Sequence, residues 1–143
     1  MKLDHIAIWV SDLEKVKNYY MAFFDATPND LYVNSATGFR SYFLSFGAGS
    51  SRIEIMHRAD IPESVNETVE KQHQGYIHLA LDAGTPQKVD DMAQKLRKEG
   101  YEILRGPRIT GDGYYEFETL DPENNRIEVI CNMNNSIVDN GCK

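Results

Sequence analysis

Two stretches of the sequence, SRIEIMHR (51–58) and NRIEVICN (125–132), contain nearly the same five letters, RIEIM and RIEVI. Each places a glutamate, Glu54 or Glu128, inside an otherwise apolar run that is typical of a β-strand. Because an ionised carboxylate is costly to bury without a partner, either both glutamates face water or something in the interior binds them.

The repetition extends along the chain at a nearly constant offset. HIAI (5–8) matches HLAL (78–81), and the dipeptide Lys-Val at 15–16 recurs at 88–89 with the same offset. RIEI (52–55) matches RIEV (126–129) with an offset that is longer by a single position. Three landmarks in one order predict two copies of a strand-helix-strand-strand-strand module, which is an α+β fold of tandem βαβββ modules.

The elements of each module are predicted from apolar periodicity and from residues that begin or end helices. In the first module we predict strands at 3–10, 30–36, 39–46 and 51–58, and a helix at 11–24 that begins with a Ser11/Glu14 capping box and ends at Thr27-Pro28. In the second we predict strands at 75–83, 101–106, 113–120 and 125–132, and a helix at 86–100 capped by Thr85. We therefore expect one domain at 1–132, with modules at about 1–73 and 74–132, and a C-terminal tail at 133–143.

The composition narrows the class of protein. The chain has 143 residues, and 15 basic against 22 acidic residues give a net charge of −7, which argues against a nucleic-acid or anionic-membrane surface. There is no apolar run of membrane-spanning length and no signal-peptide pattern at the N-terminus. Two cysteines are too few for a disulfide framework, so we expect a reduced, cytoplasmic protein.

Each module supplies one histidine near its first strand and one glutamate in its last. Strand alternation places His5 and His78 away from the Ile/Leu/Val set that should pack beneath the helices, and it places Glu54 and Glu128 on that same open side. A single such residue is commonly just the solvent side of a strand, but the same pair at equivalent positions of both modules favours a mixed nitrogen/oxygen metal site. Such a site suits Zn, Ni, Co, Fe or Mn, and the ion supplies the positive charge that the carboxylates need.

Three further residues are candidates for substrate binding. Arg58 and Arg108 would bind an anionic group, although arginines near strand ends are commonly solvated surface. Trp9 shares its strand face with His5 and would line a pocket, with core packing as the equal alternative.

The motifs LDHIAIWV, RIEIM, GYIHLAL and LDPENNRIEV resemble those of the vicinal-oxygen-chelate superfamily over residues 1 to 132. The resemblance implies paired modules that form a cupped, barrel-like mixed sheet around one divalent metal ion. By position, it places the family's ligands on His5, Glu54, His78 and Glu128. This His/Glu/His/Glu pattern is similar to that of bacterial glyoxalase I (lactoylglutathione lyase), which implies a Ni, Zn or Co ion, or else Fe or Mn.

That resemblance implies isomerisation of a hemithioacetal or another α-hydroxycarbonyl through a metal-bound enediolate. Glu128 would then move the proton, and Glu54 would act as ligand and as a base on the other face. Trp9 and Arg58 stand where glyoxalase I typically has an arginine and an asparagine that help to bind glutathione, so the thiol end differs. The alternatives are a non-haem metal dioxygenase or an epimerase of the same superfamily, or a small-molecule-binding, resistance-type module without catalysis. The modular build also suggests a homodimer, with the metal site within one chain or between chains.

Overall fold

The computed structural model describes residues 1–49, 51–63 and 74–133. The chain divides into two compact units, Met1–Asn66 and Glu67–Lys143. Within the described ranges no helix combines the length and the apolar character needed to cross a membrane. Residues 134–143 lie outside the described residues, so the C-terminal tail stays a prediction.

The first unit is a mixed sheet with one helix on one face. Its strands lie in the order β1-β5-β4-β2, and β3 also pairs with β4. The pairing of β1 with β5 is parallel, and the pairings of β4 are antiparallel. The elements are β1 (His5–Trp9), α1 (Leu13–Phe24), β2 (Ala26–Pro28), β3 (Tyr32–Asn34), β4 (Phe39–Phe46) and β5 (Arg52–His57).

The second unit repeats this plan with four strands in the order β6-β9-β8-β7. Its first and last strands, β6 and β9, are again parallel neighbours, and the other pairs are antiparallel. The elements are β6 (Leu79–Asp82), α2 (Pro86–Lys98), β7 (Ile103–Ile109), β8 (Tyr114–Leu120) and β9 (Arg126–Asn132). The predicted α+β class with tandem βαβββ modules is confirmed.

The two helices begin at equivalent positions. The predicted Ser11/Glu14 capping box is wrong: the N-cap of α1 is Asp12, whose carboxylate accepts a hydrogen bond of 2.9 Å from the backbone N–H of Lys15. Glu14 is instead bonded to the Tyr42 hydroxyl. In α2 the predicted cap is confirmed, because the Thr85 hydroxyl accepts from the third residue of the helix. Asp12 and Thr85 are separated by the same offset as HIAI and HLAL, so the two caps are equivalent positions of the repeat.

Each helix covers one face of its own sheet. In β9 the residues beneath α2 are fully buried, while those between them are only partly buried, as alternation predicts. β5 shows the same pattern, with Ile53 and Ile55 buried and Glu54 on the opposite side. Burying one such aliphatic side chain stabilises a fold by about 1.5–3 kcal/mol, so this parity is strongly fixed. The sheet face opposite the helix is called the open face of each unit below.

Each sheet has β1 or β6 at one edge, and the strand at its other edge is irregular. Helix α1 ends at Phe24, because Asp25 adopts a left-handed conformation (φ 51°), and Thr27-Pro28, the predicted helix stop, belongs to the short strand β2. β2 and β3 both pair with β4 and together act as one broken edge strand. In β7 the register shifts twice along β8. Both edges contain a proline, Pro28 or Pro107, which is typical of edge strands because proline lacks an N–H donor.

Candidate metal centre

The first His–Glu pair consists of His5 in β1 and Glu54 in β5. Because these strands are parallel neighbours with Ala7 opposite Glu54, the small alanine side chain leaves space on the open face. The His5 Nε2 atom lies 3.7 Å from the Glu54 Oε2 atom. The Glu54 side chain is only 15% exposed and His5 is 37% exposed, so this carboxylate is largely withdrawn from water with a ring nitrogen beside it.

A closed ring of contacts holds His5. The Asp4 carboxylate oxygen Oδ2 lies 2.9 Å from His5 Nδ1 and 2.6 Å from an Arg52 guanidinium nitrogen. The Arg52 guanidinium lies over the Phe43 ring at 4.3 Å, and that ring meets the imidazole edge-on at 5.1 Å. Since a carboxylate only accepts, Nδ1 carries the proton, and in a neutral ring Nε2 then carries the lone pair that can bind a metal ion. The hydrogen bonds from His5 and then Arg52 hold the pKa of Asp4 below its usual value.

The second His–Glu pair repeats this geometry. Glu128 in β9 faces Ala80 in β6, and His78 lies directly before that strand. The His78 Nε2 atom lies 3.3 Å from the Glu128 Oε2 atom, and the Glu128 side chain is 18% exposed. Each unit therefore places one imidazole nitrogen beside one carboxylate oxygen at equivalent positions of the fold.

The surroundings of the two pairs differ. In the first unit the cross-strand partner of Glu54 is Phe43, whereas in the second unit the cross-strand partner of Glu128 is Glu118. Carboxylate oxygens of Glu116, Glu118 and Glu128 all lie within 4.8 Å of one another. The first pair is therefore bordered by an aromatic ring, and the second by other carboxylates.

Arginines border the acidic group of the second unit. Arg126 forms a buried ion pair with Glu118, and Arg105 lies 3.6 Å from the same carboxylate. Arg108 lies 3.0 Å from Glu116. Burial, and secondarily the charge of Glu128, raises the pKa of Glu116 above its usual value, against the opposing effect of Arg108.

The predicted substrate-binding residues Trp9 and Arg58 lie in the first unit, and Arg108 lies in the second. Trp9 is 41% exposed on the open face of the first unit, and the Arg58 guanidinium lies 5.7 Å from its ring centre. Arg108 is paired with Glu116 in the second unit. His57 is on the helix side of β5, where its Nδ1 atom donates to the Val10 carbonyl at 3.0 Å.

Within each pair, the distance between nitrogen and oxygen resembles that between two ligands of a divalent metal ion. Nitrogen and oxygen ligands at about 2.0–2.2 Å from a common ion lie roughly 3.0–3.5 Å from each other. The second pair, at 3.3 Å, falls within that range, and the first, at 3.7 Å, needs only a small side-chain rotation. Imidazole and carboxylate together suit Zn, Ni, Co, Fe or Mn. Each His–Glu pair, taken by itself, therefore has one nitrogen and one oxygen atom at a separation suited to such an ion.

Several polar residues of these surroundings were not predicted, among them Asp4, Glu116, Glu118 and Arg126. Asp4 directly precedes His5, and Glu116 and Glu118 alternate within YYEFETL, so strand parity alone would have placed the two glutamates on one face. The ion pair between Arg126 and Glu118 depends on the register of β8 against β9, which no local pattern specifies.

Comparison with known proteins identifies the family. Residues 2–129 match the Glyoxalase/Bleomycin resistance protein/Dioxygenase superfamily. The chain belongs to this superfamily. Among its relatives, the Bacillus subtilis (strain 168) protein YqjT is 28% identical over 137 residues, which are 90% of this chain and 97% of that protein.

Solved structures of the superfamily share the fold. The glyoxylase/bleomycin resistance protein/dioxygenase domain from Frankia sp. EAN1pec is similar with a TM-score of 0.75 and 15% identity, covering 92% of this chain and 98% of that one. The trypanothione-dependent glyoxalase I of Leishmania major gives a TM-score of 0.71 and 16% identity, covering 95% of this chain and 90% of that one. At these identities the likeness extends to the fold alone.

Proposed function

We propose that this superfamily member is a metal-dependent lyase or isomerase of the glyoxalase I type. It acts on a hemithioacetal or another α-hydroxycarbonyl. The observation that carries the proposal is the recurrence of one His–Glu pair on the open face of both units, with nitrogen-to-oxygen distances of 3.7 Å and 3.3 Å. The proposed ligands of one divalent ion, with Ni, Zn or Co preferred over Fe or Mn, are His5, Glu54, His78 and Glu128.

The reaction moves one proton between adjacent carbons. A divalent ion, when bound, polarises the substrate oxygens and stabilises negative charge on them. Glu128 would remove the proton from the carbon next to the carbonyl, breaking that C–H bond and leaving an enediolate, and would return the proton to the former carbonyl carbon, while the hydroxyl proton passes from one substrate oxygen to the other. Glu54 serves as a ligand and as a base on the other face of the substrate. No redox partner is needed, because the substrate is only rearranged.

The contrasting surroundings support Glu128 as the principal base. Its cross-strand partner is Glu118, and Glu116 lies in the same group of carboxylates, so hydrogen-bonding side chains surround the proposed base. Glu54 instead faces the apolar ring of Phe43. We therefore assign proton transfer chiefly to the second unit.

The partners in this proposal are a small-molecule substrate and a second copy of the chain. Trp9, Arg58 and Arg108 are proposed to contact the substrate, on the basis of their exposure or their position on the sheet. Size-exclusion chromatography with light scattering tests the homodimer, and a monomeric mass would contradict it.

Metal analysis and an activity assay test the function. We expect one divalent ion per chain in the purified protein and turnover of methylglyoxal with a thiol. Glu128→Gln, which preserves side-chain volume, should reduce turnover by about 100- to 10,000-fold. His57→Gln is the matched control, because its imidazole lies on the helix side of β5 and should not affect metal content. Absence of bound metal, or full turnover by Glu128→Gln, would contradict the proposal. If neither the wild type nor Glu128→Gln turns over substrate and both bind the ligand equally well, a binding module is favoured instead.

A further inference from the structure

The arginine of the repeated RIE motif pairs with a different carboxylate in each unit. Arg52 and Arg126 each stand two residues before a glutamate that is a proposed metal ligand. Arg52 donates to Asp4 at 2.6 Å, and Asp4 in turn lies beside the histidine of the first pair. Arg126 forms its buried ion pair with Glu118, the cross-strand partner of the glutamate of the second pair. The same position of the module therefore compensates charge next to the histidine in one unit and next to the glutamate in the other.

The balance of charge also differs between the two pairs. Among the described residues of the first unit, one guanidinium, that of Arg52, accompanies the two carboxylates of Asp4 and Glu54. In the second unit three ion-paired guanidinium groups accompany three carboxylates. These are the side chains of Arg105, Arg108 and Arg126, and of Glu116, Glu118 and Glu128. Apart from the imidazoles, the side chains around the first pair thus have one excess negative charge, whereas those around the second pair are balanced.

Arg105 supplies the additional positive charge of the second unit. Arg126 already pairs with one carboxylate oxygen of Glu118, and Arg105 lies 3.6 Å from the other oxygen of the same carboxylate. Carboxylate oxygens of Glu118 and Glu128 lie within 4.8 Å of each other. At such separations charges still interact appreciably, so the second guanidinium on Glu118 also compensates the charge of Glu128.

This compensation affects how strongly each glutamate binds a cation. A carboxylate whose charge the protein already compensates gains less from a metal ion than one whose charge the protein leaves uncompensated. We propose that Arg105, acting through Glu118, is a positioning residue that weakens the hold of the metal ion on Glu128 and so leaves this carboxylate able to move to the substrate. The inference rests on the proposed function, in which Glu128 transfers the proton. Glu54 has no such compensation within the described part of its own unit and stays on the ion.

The affinity of the full-length protein for Ni²⁺ and for Zn²⁺, measured by competition with a chelator of known affinity, provides the test. Arg105 is suited to it, because its side chain is 57% exposed and its removal leaves the buried pair of Arg126 and Glu118 in place. Arg105→Gln should tighten metal binding by roughly threefold to tenfold, because the charge of Glu128 then acts more fully on the ion. A substitution that merely loosened the fold would weaken metal binding, so the sign of the change separates the two causes.

Two backgrounds show through which ligand Arg105 acts. In Glu128→Gln no carboxylate charge remains at that position, so the addition of Arg105→Gln should leave metal affinity unchanged. In Glu54→Gln the gain should persist. Arg105→Lys keeps the positive charge and should bind metal as the wild type does. Arg97→Gln is the matched control and should also match the wild type, because Arg97 contacts β7 through the backbone carbonyl of Gly106 rather than through a carboxylate.

Unchanged or weaker metal binding by Arg105→Gln, or an equal gain in the Glu128→Gln background, would overturn the role of Arg105. If the wild type binds metal and turns over substrate while Arg105→Gln binds metal equally well, this inference fails and the proposed function stands. If the wild type binds neither ion, the proposed function fails and the inference fails with it.

Discussion

The hydrogen bond from His5 to Asp4 predicts that Asp4 tunes metal affinity without touching the ion. Asp4→Ala removes the acceptor at His5 Nδ1, and Asp4→Asn keeps an acceptor oxygen but loses the charge. Loss of such an outer partner of a ligating histidine typically weakens metal binding by about 10- to 100-fold. Asp4 is more than half exposed, and the His5 ring keeps its contact with Phe43. We therefore expect about a tenfold loss for Asp4→Ala, and a smaller one for Asp4→Asn.

The measurement is a competition titration of Ni²⁺ and Zn²⁺ against a chelator of known affinity. Asp60→Asn is the matched control, because Asp60 is also an exposed aspartate paired with an arginine but bonds to Arg58 rather than to a histidine. NMR of the metal-free protein provides a second readout, with the His5 proton expected on Nδ1 in the wild type. Equal metal affinity in Asp4→Ala and wild type, or an equal loss in Asp60→Asn, would refute the reasoning.

Two further predictions concern stability. Gly106→Ala should lower the free energy of unfolding, measured by urea titration, by about 1–3 kcal/mol, because a Cβ at that left-handed residue would lie 2.5 Å from a backbone carbonyl oxygen of β8. Gly38 is also left-handed but has open space around it, so Gly38→Ala should lower the free energy of unfolding by less. Hydrogen bonds from Lys17 and Tyr42 hold the pKa of Glu14 below its usual 4.5, so the stabilisation is present above about pH 4.5 and is lost as the pH falls through the lowered pKa. Glu14→Gln should therefore lower the urea midpoint at neutral pH and differ less from wild type in acid, and a pH-independent difference would contradict this assignment.

The modules and the His–Glu pairs were predictable because both depend on patterns that can be read along the chain. The nearly constant offset of the repeat identified equivalent strands, and alternation in RIEIM and RIEVI placed Glu54 and Glu128 opposite the buried isoleucines and valine. Burial enforces that alternation, since a slip by one residue would put the glutamates under the helices.

The rest depends on which strands lie side by side. The sequence does not show that Phe43 faces one glutamate and Glu118 the other, because cross-strand register is set by tertiary pairing. The cap of α1 was misplaced by one residue, since Ser11 and Asp12 are both favourable N-caps and the sequence does not rank them. The short strand β2 was missed because Pro28 is a helix-stop signal as well as an edge-strand residue.

The broken edge strands also affect how the protein behaves at high concentration. A long, straight sheet edge offers a row of free N–H and C=O groups to which strands of other molecules can add, and this is a common route to aggregates. The short β2 and β3 segments and the register shifts of β7 interrupt that row in both units, and each proline removes one donor from it. The irregular edges, which made β2 hard to predict, therefore also protect these two sheets against the addition of strands from other molecules.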